Sequence, residues 1–292
     1  MTATAVEPCR AARSRARILS LSAALAALAL SSGGSLGAAD AASGGKGQKW
    51  SYQLQGDMGS TARTNSDLAV VDPDHTGSPQ RLKKKPSGGE RPVLAYISIG
   101  EAESWRSYKC NGKSWNTGRT QGWDRNYAVK YWDPEWKAIV KSRVRKALSQ
   151  GYDGVYLDRV DTYENVKAPG GSRAEMIKLV KEVAAEAKSA KGGAKVYVQN
   201  AEELLTDTSY VAAIDGIAKE DLYYGINHDG RRNSKSDVDA SVNLLKKAKA
   251  QGKAVHVVEY VGGKSRSQAE NEIRKQGFVP AFAPRGLERA QD

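Results

Sequence analysis

The sequence predicts a (β/α)8 barrel, and three observations carry that expectation. Eight short β-rich runs alternate with helical patterns along most of the chain. Several runs are apolar almost throughout, as strands buried on both faces must be. A stretch of roughly 250 residues, the usual size of such a barrel, remains once the N-terminal segment is set aside.

That segment has the order of a secretory signal peptide. Arg10, Arg13, Arg15 and Arg17 form a basic start, residues 18–30 are apolar, and small residues follow, with Gly37-Ala38-Ala39 and Ala39-Asp40-Ala41 as cleavage sites. The 13 apolar residues of 18–30 are too few for a comfortable membrane span. Residues 1–41 are therefore read as signal peptide and cleavage region, 42–48 as a flexible linker and 49–292 as one barrel domain. The mature protein is expected outside the cell, without stable membrane insertion and as a monomer. Cys9 leaves with the signal and Cys110 is left without a disulfide partner, so packing is its expected role.

The runs read as strands cover 50–54, 68–71, 93–99, 154–157, 195–199, 216–218, 255–260 and 278–282. Helices between them are well punctuated. Asp133-Pro134 sets an N-cap before a proline, Trp136, Ile139, Val140, Val144 and Leu148 repeat at helical spacing, and Gly151 closes. Ser172-Arg-Ala-Glu175 reads as a capping box, Val238, Val242 and Leu245 mark another helix, and Ser267-Gln-Ala-Glu270 reads as the start of the last. Residues 73–91 read as an exposed loop with at most a short helix. Residues 100–133 read as a long loop, with five of the six Trp in or just beyond it. An open doubly wound sheet is disfavoured, since no G-x-G-x-x-G follows the first strand.

Catalytic groups of such a barrel sit at the C-terminal ends of its strands. There the sequence places Gln53 and Gln55, Asp72, Glu101, Asp158, Asn200, Glu220 and Glu259-Tyr260. Period two in Gly154-Val-Tyr-Leu-Asp158 sends Asp158 into the barrel mouth with Gly154 and Tyr156. Crowded carboxylates raise one another's pKa, giving the protonated acid beside an ionised partner that glycoside hydrolysis needs. Other chemistries lack their marks. The three His show no metal-ligand spacing, and no G-x-S-x-G, P-loop or HExxH occurs. No metal or cofactor is expected, and His256 reads as a strand residue with a satisfied ring. Trp105, Trp115, Trp123 and Tyr108 are candidate walls for sugar rings, whose apolar faces stack on aromatic ones; Trp132 and Trp136 read as core. The net charge falls from +12 to about +10 when the signal leaves, but Lys and Arg are scattered and no nucleic-acid motif accompanies them.

Four motifs together resemble the family-114 glycoside hydrolases, endo-α-1,4-polygalactosaminidase-like proteins with a TIM-barrel domain. They are Trp50-Ser-Tyr-Gln-Leu-Gln55, Leu94-Ala-Tyr-Ile-Ser-Ile-Gly-Glu-Ala-Glu103, Tyr131-Trp-Asp-Pro-Glu-Trp136 and Gly151-Tyr-Asp-Gly-Val-Tyr-Leu-Asp-Arg-Val-Asp161. The resemblance runs from about residue 48 to 284 and departs only before the third strand, where a Lys- and Gly-rich loop replaces a helix. It implies endo-cleavage of α-1,4-linked galactosamine polymers in extracellular matrix, with retention. The implied catalytic pair is Asp158 as nucleophile and Glu220 as acid/base, with Glu202 in reserve. Asp72, Glu101, Trp105, Asp161, Asn200 and Tyr260 are the expected substrate-binding residues. A deacetylated polymer is cationic and this chain is basic, so an acetylated or mixed polymer, or a locally acidic cleft, is required. Another α-glycosidase, α-galactosidase-like, and a non-catalytic glycan-binding barrel stand as alternatives.

Overall fold

The structure is a computed structural model that describes residues 47–120 and 125–291. The signal peptide, residues 42–46 of the linker and Trp123 lie outside the described residues. Eleven strands occur among those described: β1 (Trp50–Gln53), β2 (Leu68–Val71), β3 (Val93–Ser98), β4 (Glu101–Glu103), β5 (Asn116–Arg119), β6 (Asn126–Val129), β7 (Gly154–Asp158), β8 (Lys195–Gln199), β9 (Gly216–Glu220), β10 (Ala254–Glu259) and β11 (Val279–Phe282). Eight of them pair in parallel in the order β1-β2-β3-β7-β8-β9-β10-β11. With helices outside this nearly closed sheet, the fold is the expected (β/α)8 barrel.

Alternation along each strand divides the core in two. Trp50, Tyr52, Leu68, Val70, Leu94, Tyr96, Tyr156, Ala218, Val258, Val279 and Ala281 fill the barrel. Val155, Leu157, Val196, Val198, Ile217 and Val257 point outward to the helices. Gly216 is needed beside Tyr197, because a Cβ there would come within 2.5 Å of the ring.

Eight α-helices are described: α1 (Gly59–Arg63), α2 (Pro73–Thr76), α3 (Gln80–Lys83), α4 (Pro134–Ser149), α5 (Ser172–Ala190), α6 (Thr208–Ala213), α7 (Lys235–Ala250) and α8 (Gly263–Lys275). Asp133 caps α4, accepting from the N–H of Glu135 at 2.8 Å, and Ser234 caps α7 through the N–H of Asp237 at 3.2 Å. Two starts differ from expectation. Helix α5 has Gly171 at its N-cap, and Ser172 accepts from the N–H of Ala168 instead of capping. Helix α8 begins at Gly263, four residues before Ser267, and Glu270 pairs with Arg274 one turn on.

The long loop after β3 is itself structured. Strands β4, β6 and β5 form a small antiparallel sheet, which short polar segments such as Asn-Thr-Gly-Arg did not announce. In the Lys-rich stretch before β3, Leu82 of α3 is fully buried. Behind it Arg91, 2% exposed, donates to the carbonyls of Leu82, Thr64 and Thr61 and to the hydroxyls of Thr64 and Ser66. One guanidinium thus holds the layer where a helix was expected.

No ladder joins β1 to β11 among the described residues. The chain beyond β11 bridges that seam: the N–H groups of Leu54 and Gln55 donate to the carbonyl of Leu287 at 3.0 and 3.2 Å.

Arg91 precedes β3, at the barrel end opposite the strand C-termini. Arg91→Met strands buried carbonyls and costs about 3 kcal/mol, or roughly 6–12 °C in melting temperature, by thermal unfolding. Activity per folded molecule stays within about twofold of the parent, because surface-layer support and strand C-termini are separate faces of this fold; a large specific loss in activity would refute that separation.

Candidate active site

Strands β7 and β9 each run further than the sequence suggested, so Asp158 and Glu220 are their last residues. Alternation carries both side chains inward, above Tyr156 and Ala218. The chain leaves Asp158 through Arg159 in the left-handed region, φ 61. Asn200 and Asp221, at φ 58 and 54, turn the chain sharply after β8 and β9.

Each carboxylate has its own set of donors. Asp158 accepts from the Tyr96 hydroxyl at 2.7 Å and from the N–H of Arg159 at 2.6 Å. Glu220 accepts from Gln199 Nε2 at 2.8 Å, from Asn200 Nδ2 at 3.4 Å and from the Tyr260 hydroxyl. Asn200 also accepts from the N–H of Glu220 at 3.0 Å. Tyr52 donates to Gln199 Oε1 at 2.9 Å, which aims the amide's other end at Glu220.

The two acids feel each other. Burial pushes the Asp158 carboxyl up to about 7, and the negative charge of Glu220 adds to the rise. The Arg159 guanidinium and the Tyr96 hydrogen bond oppose it. Burial drives the Tyr52, Tyr96, Tyr156 and Tyr260 phenols well above their ordinary value, so they remain protonated donors. Asp158 therefore titrates near neutral pH beside a second carboxylate.

The other expected site residues divide. Asn200 and Tyr260 lie against Glu220, as above. Asp161, half-buried on the 3-10 helix Val160–Glu164, adds to the rise of Asp158, and its carboxylate takes no hydrogen bond among the described residues. Glu101, 4% exposed, accepts from Asn126 Nδ2 at 3.0 Å and sits 3.6 Å from Arg159 Nε. It supports the cation beside Asp158 and leaves one oxygen without a partner.

Several expectations need correction. Asp72 does not face the mouth as a free acceptor; it is 1% exposed, paired with Arg106 at 2.8 Å and bound to the N–H of Asp74 as the cap of α2. Glu202 is no reserve acid: it lies outside the barrel against Lys219 at 3.1 Å and Ser241, and these hold its carboxyl low despite burial. Trp115 is no sugar platform: it is fully buried and packs on Trp136, ring centroids 4.9 Å apart. Tyr108 packs edge-on to both rings and accepts from the N–H of Glu103, so it belongs to the same cluster. Trp105 stays half-buried, stacked 3.8 Å from the Arg106 guanidinium. His256 is a strand residue as expected, but its Nδ1 lacks a partner among the described residues, and burial lowers its pKa to about 3.

Tyr96, Gln199 and Tyr52 were not singled out from sequence. The signal for Tyr96 was present: alternation in 93–98 turns Leu94, Tyr96 and Ser98 inward, as it does Asp158 on the neighbouring strand.

Comparison with known proteins decides the family. The model of the glycoside-hydrolase family GH114 matches residues 34–291. The chain belongs to that family. It is 34% identical over 257 residues to an uncharacterized protein of Deinococcus radiodurans, covering 83% of this chain and 82% of that one. It is 34% identical over 258 residues to uncharacterized protein MJ1477 of Methanocaldococcus jannaschii, covering 81% and 73%. Among solved structures, Aspergillus fumigatus Ega3, in complex with galactosamine, shares the fold at a TM-score of 0.65 and 18% identity, covering 84% of this chain and 94% of that one. The glycoside hydrolase domain of PelA from Pseudomonas aeruginosa gives 0.65 and 19%, covering 82% and 96%. This GH114 chain is thus a glycoside hydrolase built on the barrel those proteins share.

The raised carboxyl of Asp158 has a thermodynamic consequence. As pH rises from about 4 to about 7, an unfolded chain releases this proton while the native one retains it, so stability falls across that window and levels above it. Asp158→Asn abolishes the penalty. The variant should melt at least ~2 °C above the parent at pH 8, and the gain should vanish near pH 4; a gain independent of pH would contradict the assigned ionisation.

Proposed function

We propose that this GH114 protein is an exported endo-glycosidase that cleaves α-1,4-linked galactosamine-containing polysaccharide with retention of configuration. The observation that carries the reading is the coupled pair, Asp158 and Glu220, at the ends of β7 and β9, in a family of glycoside hydrolases. A binding barrel has no need of a carboxyl that titrates near neutral pH in this position.

Asp158 attacks the anomeric carbon as the bond to the leaving sugar breaks, and the leaving oxygen takes the proton of Glu220. A β-linked glycosyl ester on Asp158 results. Glu220 then removes a proton from water, which displaces Asp158 and restores the α configuration. In the empty site the proton rests on Asp158, which burial disfavours as an anion. Substrate reverses this: a glycosidic oxygen docks on Glu220, positive charge develops against Asp158, and both draw the proton across. Neither step requires a cofactor.

The mouth's own charge supports an amino-sugar substrate. Asp161 stands beside Asp158, and Glu164 and Glu203 follow next to Asp161; burial with Glu203's charge pushes the Glu164 carboxyl up to about 7. This acidic rim lies on a chain of net charge +12. Asp161, Tyr260 and Asn200 are assigned to hold sugar hydroxyls or amines around the pair, with Trp105 at the rim.

Asp158→Asn and Glu220→Gln should each lower kcat at least ~10³-fold on galactosamine-containing exopolysaccharide. Azide separates the roles. With Asp158→Gly it should form the β-glycosyl azide, and with Glu220→Gly the α-glycosyl azide. The opposite anomers would exchange the two assignments, and binding without turnover by the parent enzyme would favour the lectin-like alternative. The parent's kcat/KM should decline as pH rises past about 7, where the Asp158 proton is lost. Tyr96 favours ionised Asp158, so Tyr96→Phe should move that alkaline limb to higher pH; a shift to lower pH would overturn the assignment.

A further inference from the structure

We infer that Arg285, from the segment beyond β11, is a positioning residue that sets the acid/base Glu220 through Tyr260 and Asp221. The inference rests on the reading of Glu220 as the proton donor. It assigns a role to a residue far in sequence from either catalytic strand.

The geometry is a clamp. The Arg285 guanidinium lies 4.1 Å from the centre of the Tyr260 ring, and Tyr260 donates its hydroxyl to Glu220 Oε1. The same guanidinium grips Asp221 with two parallel hydrogen bonds, Nη1 to Oδ2 at 2.9 Å and Nη2 to Oδ1 at 3.1 Å. Asp229 binds Nη2 at 2.9 Å from the solvent side. Asp221 is 1% exposed and follows Glu220 directly, in the left-handed region at φ 54. One cation therefore fixes both the backbone turn that leaves Glu220 and the phenol that bonds to it.

Two physical effects follow. A planar, two-pronged guanidinium resists rotation of the Asp221 carboxylate, so the strained turn keeps one setting. A cation over the phenol face draws electron density from the ring, which makes the Tyr260 hydroxyl a stronger donor to Glu220. Lysine offers charge without the fork or the flat stacking surface. The loop above is built around the clamp: Gly225, at φ 108, has no room for a Cβ, which would fall 2.5 Å from Asp221 Oδ1 and 3.0 Å from Arg285 Nη2.

The test is the dependence on leaving group. A 2,4-dinitrophenyl α-glycoside departs without proton donation, whereas the polysaccharide requires it. Arg285→Lys should lower kcat/KM on polysaccharide by roughly tenfold or more and spare kcat/KM on the dinitrophenyl substrate to within about threefold, since this ratio reports the first, leaving-group-dependent step. In a Tyr260→Phe background the same substitution should cost clearly less than in the parent, because one of its two routes to Glu220 is already gone. Asp229→Asn loosens the clamp from its exposed edge and should show the same selectivity at smaller size, so a poorly folded Arg285→Lys does not end the test. Equal losses on both substrates, or full additivity with Tyr260→Phe, would make Arg285 a mere structural prop and overturn the inference. Glu220→Gln is the control for the parent reading. If its kcat/KM too falls equally on both leaving groups, Glu220 is not the acid, and the clamp's role falls for that separate reason; kcat, which includes the base-assisted second step common to both, does not decide it.

Discussion

Two acidic side chains at the ends of parallel strands cannot both carry full charge cheaply, and the mouth of this barrel is organised around that constraint. In a parallel barrel, strand ends converge by construction, so alternation alone brings β7 and β9 to bear on a common space. Proximity then raises the cost of the second negative charge, and burial raises it further. The fold meets this cost with the Arg159 guanidinium beside Asp158 and with neutral donors to both acids. Tyr96 serves Asp158, while Gln199, Asn200 and Tyr260 serve Glu220. Neutral donors orient an oxygen without forcing it to ionise, so Asp158 can keep its proton to near neutral pH.

Cations further from the two carboxylates hold the frame. Arg106, its side chain 1% exposed, gathers Asp72, Asp74 and Glu103 and pins the loop after β3 against α2. Even with that partner, burial pushes the Glu103 carboxyl up to about 7, a sign of how little solvent reaches the cluster. Arg91 and Asp153 do the equivalent at the other end, where Asp153 accepts from the N–H of Val93 and pairs with Lys83 and Lys191. The Arg106 cluster borders the site, its guanidinium 6.0 Å from the centre of the Tyr96 ring. The Arg91 and Asp153 networks lie at the opposite end, the face of such a barrel that carries stability.

How much of this was legible in the sequence differs with the kind of signal. Strand existence, and the direction of Asp158, were readable because a period of two leaves no freedom once one residue is known to face inward. The ends of strands were less so: β9 extends to Glu220 through Lys219, a residue of low strand propensity whose ammonium is needed outside by Glu202. Glu202 and Asp72 looked like site residues because each follows a strand. What separates them from Glu220 is a cation delivered by a distant segment, and linear order does not show that. Trp115 failed for a related reason. An aromatic loop can bind sugar or build its own small core, and composition is identical in the two cases; the small sheet of β4, β5 and β6 makes it a core here.

The seam of the barrel connects these themes. Closure between β1 and β11 is made by the chain beyond β11, with Leu287 receiving Leu54 and Gln55 and the carbonyl of Glu288 receiving Gln53 Nε2. Gln53 in turn anchors Ser60 and Thr61 of α1 through its oxygen. The same segment that completes the cylinder at Leu287 and Glu288 also carries Arg285 to Tyr260 and Asp221. Neighbouring residues of one segment thus serve both closure and the setting of Glu220, although no residue does both.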